Sequence, residues 1–247
     1  MDSMKAVALI PARIGSTRFP RKMLASLRGK TVIRRTYESA VRTGLFADVI
    51  VVSDDDDIIA EVISCGGKAV KSSRTFESGT DRIAEVVAGM EADVFVNIQG
   101  DEPFVQREPL RQLLGLFEES GTLVGSLVQE LSHPEFIEDP NFVKVALDLH
   151  GNALFFSRSV IPYPRNTQAK RTYYEHIGVY AFTKPALMQF VSWPVSPLED
   201  IEKVECLRFL ENGIRMRMAI TRYMGVEIDT PEDIQRAEAI MDEKGWE

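Results

Sequence analysis

Cysteine and histidine are scarce in this chain of 247 residues, with two of the first and three of the second. Cys65 and Cys206 stand isolated and offer no metal-ligand spacing, and His133, His150 and His176 are too scattered to suggest a zinc site. A reduced, cytoplasmic setting is the expectation. Long apolar runs are also missing. The longest reach five to seven residues, against the ~20 that a membrane-spanning helix needs. Met1 to Lys5 lacks the basic region and long apolar core of a signal peptide. Positive charge is short as well: 29 Lys and Arg against 37 Asp and Glu leave a net charge of −8. That balance excludes bulk binding to nucleic acid or an anionic membrane, but not a local basic pocket for a small anion. Neither the Walker A spacing nor the Gly-x-Gly-x-x-Gly dinucleotide fingerprint occurs, and there is no internal repeat or low-complexity segment.

What is present is ordinary globular material, 45% hydrophobic and 27% charged, enough for one large α/β domain or two small ones. Short β-branched runs alternate with amphipathic stretches of helix length, the mark of parallel βαβ construction. Strands are expected at Lys5–Ile10, Val49–Val52, Lys68–Lys71 and Val94–Ile98. Between them, helices are expected over Val32–Thr43, after Asp55 or Asp56, and after a cap at Thr80. Val41 and Ile63 are expected on inward faces. This half reads as part of a Rossmann-like, doubly wound sheet, in which ligands bind outside the carboxyl ends of the strands. Beyond about residue 122 the pattern changes. Leu123–Glu130, the hairpin Val143–Leu147 with Ala153–Phe156, and Ile177–Phe182 read as strands, with a β-rich insertion at about 141–182 in a single domain spanning 1–247. Ser196-Pro197-Leu198-Glu199 is a capping box whose helix is expected to run to Asn212-Gly213. Strands Arg215–Thr221 and Val226–Ile228 and a helix from Pro231 to about Lys244 complete the mixed α/β reading.

Four places could carry chemistry. The loop after the first strand, Pro11–Lys22, brings Arg13, Arg18, Arg21 and Lys22 to where an α/β sheet holds phosphate, although its spacing equally fits a solvated basic loop. Ser78-Gly79-Thr80-Asp81-Arg82 opens a helix, where free N–H groups suit an anion or a base edge; a plain helix cap explains the same residues. Gln99-Gly100-Asp101-Glu102-Pro103 follows the clearest strand, with carboxylates of the kind that hold magnesium and a glycine that would let a ligand approach. Asp229-Thr230-Pro231-Glu232-Asp233 is a good helix start that leaves Asp229 itself without a role. If Asp229 faces Asp101, the two form a metal site opposite the basic loop.

Taken together, these residues resemble the cytidylyltransferases that activate 3-deoxy-manno-octulosonate (KDO) for lipopolysaccharide biosynthesis. Ala153–Arg158, His176–Tyr180 and Ser196–Glu199 extend the match over essentially the whole chain. The resemblance implies a fold of the nucleotide-diphospho-sugar transferase type, with an insertion that builds a homodimer. It implies CTP phosphates held by Arg13, Ser16 and Lys22, and the base by the backbone near Ala12 and by Ser78, Gly79 and Arg82. It implies Mg²⁺ on Asp101 and Asp229, and the sugar acid on Gln99, Arg158, His176, Tyr180 and Glu205. The reaction implied is in-line attack of the sugar's anomeric hydroxyl on the α-phosphorus, with pyrophosphate leaving. Two departures stand out: Pro20-Arg21-Lys22-Met23 replaces the family's usual Pro-Gly-Lys-Pro, and Cys206 stands where glutamine is common. Rival readings are a cytidylyltransferase for a sialate or an amino-substituted octulosonate, a nucleotide-binding regulatory module, and an NAD(P)-dependent oxidoreductase. The missing glycine fingerprint argues against the last.

Overall fold

Strand β1 (Ala6–Ala12) is buried along its whole length, which explains an unbroken apolar run where a half-exposed strand would alternate. It belongs to a computed structural model that describes residues 4–15, 18–76, 78–222 and 225–246. The chain divides into two compact units, Met1–Glu108 with Met224–Glu247, and Pro109–Tyr223.

In the first unit, β1 is followed by a small ribbon of β2 (Ser26–Leu27) and β3 (Lys30–Thr31). Helix α1 (Val32–Arg42) starts at Thr31, whose hydroxyl accepts from the Arg34 N–H. Then come β4 (Asp48–Ser53), α2 (Asp56–Ser64) capped by Asp55, β5 (Lys68–Lys71), α3 (Gly79–Val87) and β6 (Val94–Asn97). The four long strands run parallel in the order β6-β1-β4-β5. This is the α/β arrangement expected, and it puts the ends of β1 and β6 side by side.

Three local expectations for this unit are corrected. First, β1 continues to Ala12, taking Pro11 and Ala12 out of the loop. The Leu9 carbonyl accepts from Ile98 on the β6 side, so the nitrogen of Pro11, two residues on, faces the same way but past the last β6 pair, Leu9↔Asn97. Its missing N–H therefore costs no ladder bond. Second, Val41 and Ile63 are exposed, because α1 and α2 bury the stripes built on Val32, Ile33 and Ala40 and on Ile58 and Val62. Third, α3 is capped by Ser78; Thr80 is buried inside the first turn and accepts from Asn97 Nδ2 at 3.2 Å.

Helix α4 (Arg107–Gly115) leads from the first unit into the second, which begins at Pro109. The second unit holds β7 (Val124–Leu131), α5 (Pro134–Glu138), β8 (Lys144–Leu147), β9 (Ala153–Ser157) and β10 (Tyr173–Phe182). After these come α6 (Lys184–Ser192), α7 (Pro197–Glu202), α8 (Leu207–Glu211) and β11 (Met216–Thr221). Its sheet is mixed. Strand β11 pairs parallel with β7, while β7–β10, β10–β8 and β8–β9 are antiparallel. The strand expected at Ile177–Phe182 starts four residues earlier, at Tyr173, with a register shift between Ile177 and Tyr180. The single helix expected from Pro197 to Asn212 is broken by Lys203, which takes φ 53 and ends α7. Chain end α9 (Pro231–Lys244) returns to the first unit and starts on a capping box of Thr230 and Asp233. The expected strand Val226–Ile228 does not form: among the described residues it joins no sheet. No helix among the described residues is long and apolar enough to cross a membrane.

Candidate active site

The carboxyl ends of β1 and β6 open onto a cavity of about 550 Å³ in the first unit. Its floor is Pro11 and Ala12, its sides include Arg13, Arg18 and Lys22, and Gln99 and Asp101 come from the segment after β6. That segment cannot sit elsewhere. A Cβ on Gly100 would meet the Pro11 carbonyl oxygen at 2.9 Å and Met23 Sδ at 3.1 Å. Gly100 is thus required by packing between strand ends, a reason its sequence position did not supply. Thr36 of α1 fastens the same turn, donating its hydroxyl to the Gly100 carbonyl at 2.8 Å.

Asp229 does face Asp101. The Ile228 N–H donates to the Asp101 carbonyl at 3.0 Å, and Ile228 is fully buried with Phe104, Leu27 and Met241. The side chain of Asp233 accepts from the Asp229 and Thr230 N–H groups, so the helix start is satisfied without the Asp229 carboxylate. That carboxylate is left to turn inward. Lys22 Nζ lies between the pair, 2.5 Å from Asp101 Oδ2 and 2.9 Å from Asp229 Oδ1, and Arg18 reaches Asp229 at 2.8 Å. Burial pulls the Lys22 ammonium down, but the charge and hydrogen bond of Asp101, with help from Asp229, outweigh it and hold the group raised.

A third carboxylate, Glu227, completes the cluster: ligand oxygens of Asp101, Glu227 and Asp229 all lie within 4.8 Å of one another. Its outer face is open to solvent. Dehydration by the surrounding protein, and then the charges of Asp101 and Asp229, push its carboxyl above the usual carboxylate range. Sequence reasoning missed Glu227. Strand alternation over Val226-Glu227-Ile228-Asp229 would put the two acids on one face, but the sequence does not say which face turns to Asp101. The cluster is a set of hard oxygen donors of the kind magnesium takes.

The remaining sequence candidates fall into two groups. Arg13 is exposed at the cavity wall, and Ser78, Gly79 and Arg82 also line it. The Ser78 hydroxyl accepts from the Asp81 N–H at 3.0 Å, so its cap role is real. Arg82 is 2% exposed and pairs through Nη1 with Asp54 at 2.6 Å and Ser72 at 3.0 Å. Its Nη2 has no partner among the described residues. A buried donor left open at a cavity wall is a place for a ligand acceptor. Ser16 lies outside the described residues.

Arg158, His176, Tyr180 and Glu205 belong to the second unit, apart from Gln99 in the first. His176 and Tyr180 are ring neighbours, with centroids 5.2 Å apart, and His176 Nε2 lies 3.2 Å from Ser126 Oγ. Burial lowers the His176 imidazole to about 4. Cys206, next to Glu205, is buried and hydrogen-bonded to Tyr180, and burial raises its thiol well above the usual range. Arg158 donates to the Glu202 and Pro140 carbonyls at 2.7 and 2.9 Å, so its fork is partly committed to the fold.

A cytidylyltransferase family model matches residues 7–220. The chain belongs to the 3-deoxy-manno-octulosonate cytidylyltransferase family. A relative of that name from Flavobacterium johnsoniae is 52% identical over 241 residues, covering 96% of this chain and 99% of its own. Another from Christiangramia forsetii is 47% identical over 240 residues, covering 96% and 97%. A solved CMP:2-keto-3-deoxy-manno-octonic acid synthetase complexed with CTP is 38% identical, with a TM-score of 0.92, and covers 97% of this chain and 99% of its own. The mixed α/β fold reaches further: 4-diphosphocytidyl-2C-methyl-D-erythritol synthase from Anaerococcus prevotii aligns at a TM-score of 0.64 with 16% identity.

Proposed function

We propose that the protein transfers CMP from CTP to KDO, releasing pyrophosphate. The observation that carries this reading is the meeting of three carboxylates, Asp101, Glu227 and Asp229, with Lys22 and Arg18 at one end of a cavity walled by Arg13 and Arg82. Full-length similarity to relatives of that name, and to a synthetase complexed with CTP, supports the choice of nucleotide and sugar.

In this reading Arg13 and Lys22 bind the triphosphate, the first as a bidentate fork and the second as a compact charge. The Nη2 of Arg82 and the backbone near Ala12 meet the base. Asp101 and Asp229, with Glu227 beside them, hold Mg²⁺; when bound, the ion supplies Lewis acidity and charge neutralisation at a phosphoryl group. Gln99, Arg158, His176, Tyr180 and Glu205 recognise the sugar acid, His176 as a neutral imidazole at physiological pH. The protein's part is positioning and electrostatics rather than covalent catalysis. Exposed Leu149, Leu154 and Tyr163 in the β-rich insertion support pairing with a second copy, as does the family resemblance. Sedimentation of Leu154→Glu is expected to show a loss of dimer.

The deciding experiment is pyrophosphate release with CTP, Mg²⁺ and KDO, with sialate as the control acceptor. Turnover with KDO and none with sialate is expected; the reverse order would overturn the sugar assignment.

A further inference from the structure

The first unit has a second cavity, of about 520 Å³, that shares no lining residue with the first. Helix α1 supplies Arg35, Ser39 and Arg42, at spacings of four and three that place them on one helix face. Arg107, at the start of α4, closes another side and donates Nη1 to the Thr43 carbonyl. Phe104 and Trp246 form an aromatic wall, their ring centroids 5.2 Å apart.

The charge of this cavity is one-sided. Lys30 at its rim is paired with Glu38 at 2.6 Å. Arg35 is 6% exposed and donates to the Leu27 and Arg28 carbonyls. Among the described residues, Arg42 and Arg107 have no carboxylate partner, and no carboxylate lines the cavity. Arginine keeps its charge at any physiological pH, so the positive charge is permanent. In a chain with a net charge of −8 such a concentration gains nothing from general solubility. A cation in the first turn of α4 is also unfavourable to that helix's dipole. Arg42, in the last turn of α1, suits that helix's own dipole, but a lining of cations without a carboxylate still favours an anion.

We infer that this cavity is a second binding site, independent of the proposed transfer reaction, for a nucleoside phosphate. Arg42 and Arg107 grip the phosphoryl oxygens with their planar forks. The base lies against Trp246, a half-buried ring with Phe104 beside it. The volume falls within the range that organic ligands fill.

The chain has two tryptophans, so Trp193→Phe leaves Trp246 as the only indole reporter. That variant is titrated with ATP in EDTA. Saturable change in Trp246 emission is expected, with affinity reduced about tenfold or more by Arg42→Gln. Inorganic tripolyphosphate is expected to bind more weakly than ATP, and adenosine not measurably. Calorimetry of ATP binding to the unmodified chain, and to its Arg42→Gln variant, gives the same comparison should Trp193→Phe fold poorly. CTP-dependent pyrophosphate release by Arg42→Gln is expected to stay at the parent level. Absence of ATP binding, unchanged affinity in Arg42→Gln, or equal affinity for tripolyphosphate would each overturn the assignment.

Discussion

Lys22 is the residue on which the acid cluster balances. Its ammonium lies between Asp101 and Asp229, and all three groups are largely withdrawn from solvent or bordered by others that are. Removing one partner from such a set leaves charge uncompensated, which costs more than the pair itself contributes. Lys22→Met is therefore expected to melt several degrees below the parent in EDTA, with Mg²⁺ raising its melting temperature more than the parent's. Equal Mg²⁺ shifts in the two proteins would show that the carboxylates do not take the ion. For the reaction, Asp101→Asn is expected to lose roughly 10²-fold in kcat, and a near-normal kcat would remove Asp101 from the ligand set. Asp101 and Asp229 stood out in the sequence because each follows a short run of strand composition, Val94–Ile98 and Val226–Ile228. Glu227 did not, because exposed acids are common and only the tie from Ile228 to Asp101 tells which side of the run faces inward. The role of Lys22 was half legible. Its charge was plain, but its two carboxylate neighbours are 79 and 207 residues away in the chain.

At the scale of elements, the site depends on how closely the ends of β1 and β6 approach. Gly100 is where that closeness is measured. A Cβ there meets backbone, the Pro11 carbonyl, rather than the yielding end of a side chain. Gly100→Ala is expected to cost about 1–3 kcal/mol in a urea titration and to lower activity by shifting Asp101. Stability within about 0.5 kcal/mol of the parent, the usual range for harmless surface changes, would show that the strand ends have room to part. Elements marked by their own caps were legible: Asp55, Ser196 and Thr230 each begin a helix as side-chain chemistry predicts. Where a tertiary partner decided the outcome, local pattern misled. Ser78 took the cap from Thr80 because Thr80 is drawn inward to Asn97. Val226–Ile228 has strand composition, but its Ile228 N–H is used by the Asp101 carbonyl and no ladder forms. Lys203 broke a continuous apolar pattern by taking a left-handed backbone, which nothing in its side chain foretells.

For the whole molecule, the net charge of −8 conceals two concentrations of cations on one unit, one beside the acid cluster and one without acids. Stability against pH, by contrast, depends strongly on a group in the other unit. His176 sits between the rings of Phe156 and Tyr180, at 5.1 and 5.2 Å, and burial lowers it from 6.5 to about 4. The folded chain therefore holds His176 neutral, while the unfolded chain protonates it near its ordinary value. Between those two values the unfolded state binds more protons, so stability rises with pH in that window. The contribution is fully present above about pH 6.5 and is lost progressively down to about pH 4, below which both states carry the proton. At 1.36 kcal/mol per unit it amounts to about 3 kcal/mol at most. Urea titrations of the parent and of His176→Gln at pH 7, 5.5 and 4.5 isolate it. The parent is expected to lose more stability than the variant over that range, and the gap to level off toward pH 4. With both proteins carrying Trp246→Phe, Trp193 is the only indole, and its fluorescence reports the unit that contains the histidine. Parallel losses in parent and variant would mean that His176 is protonated as readily in the folded chain as in the unfolded one. Its neutral state, and with it the hydrogen-bonding role toward the sugar acid proposed above, would then have to be abandoned.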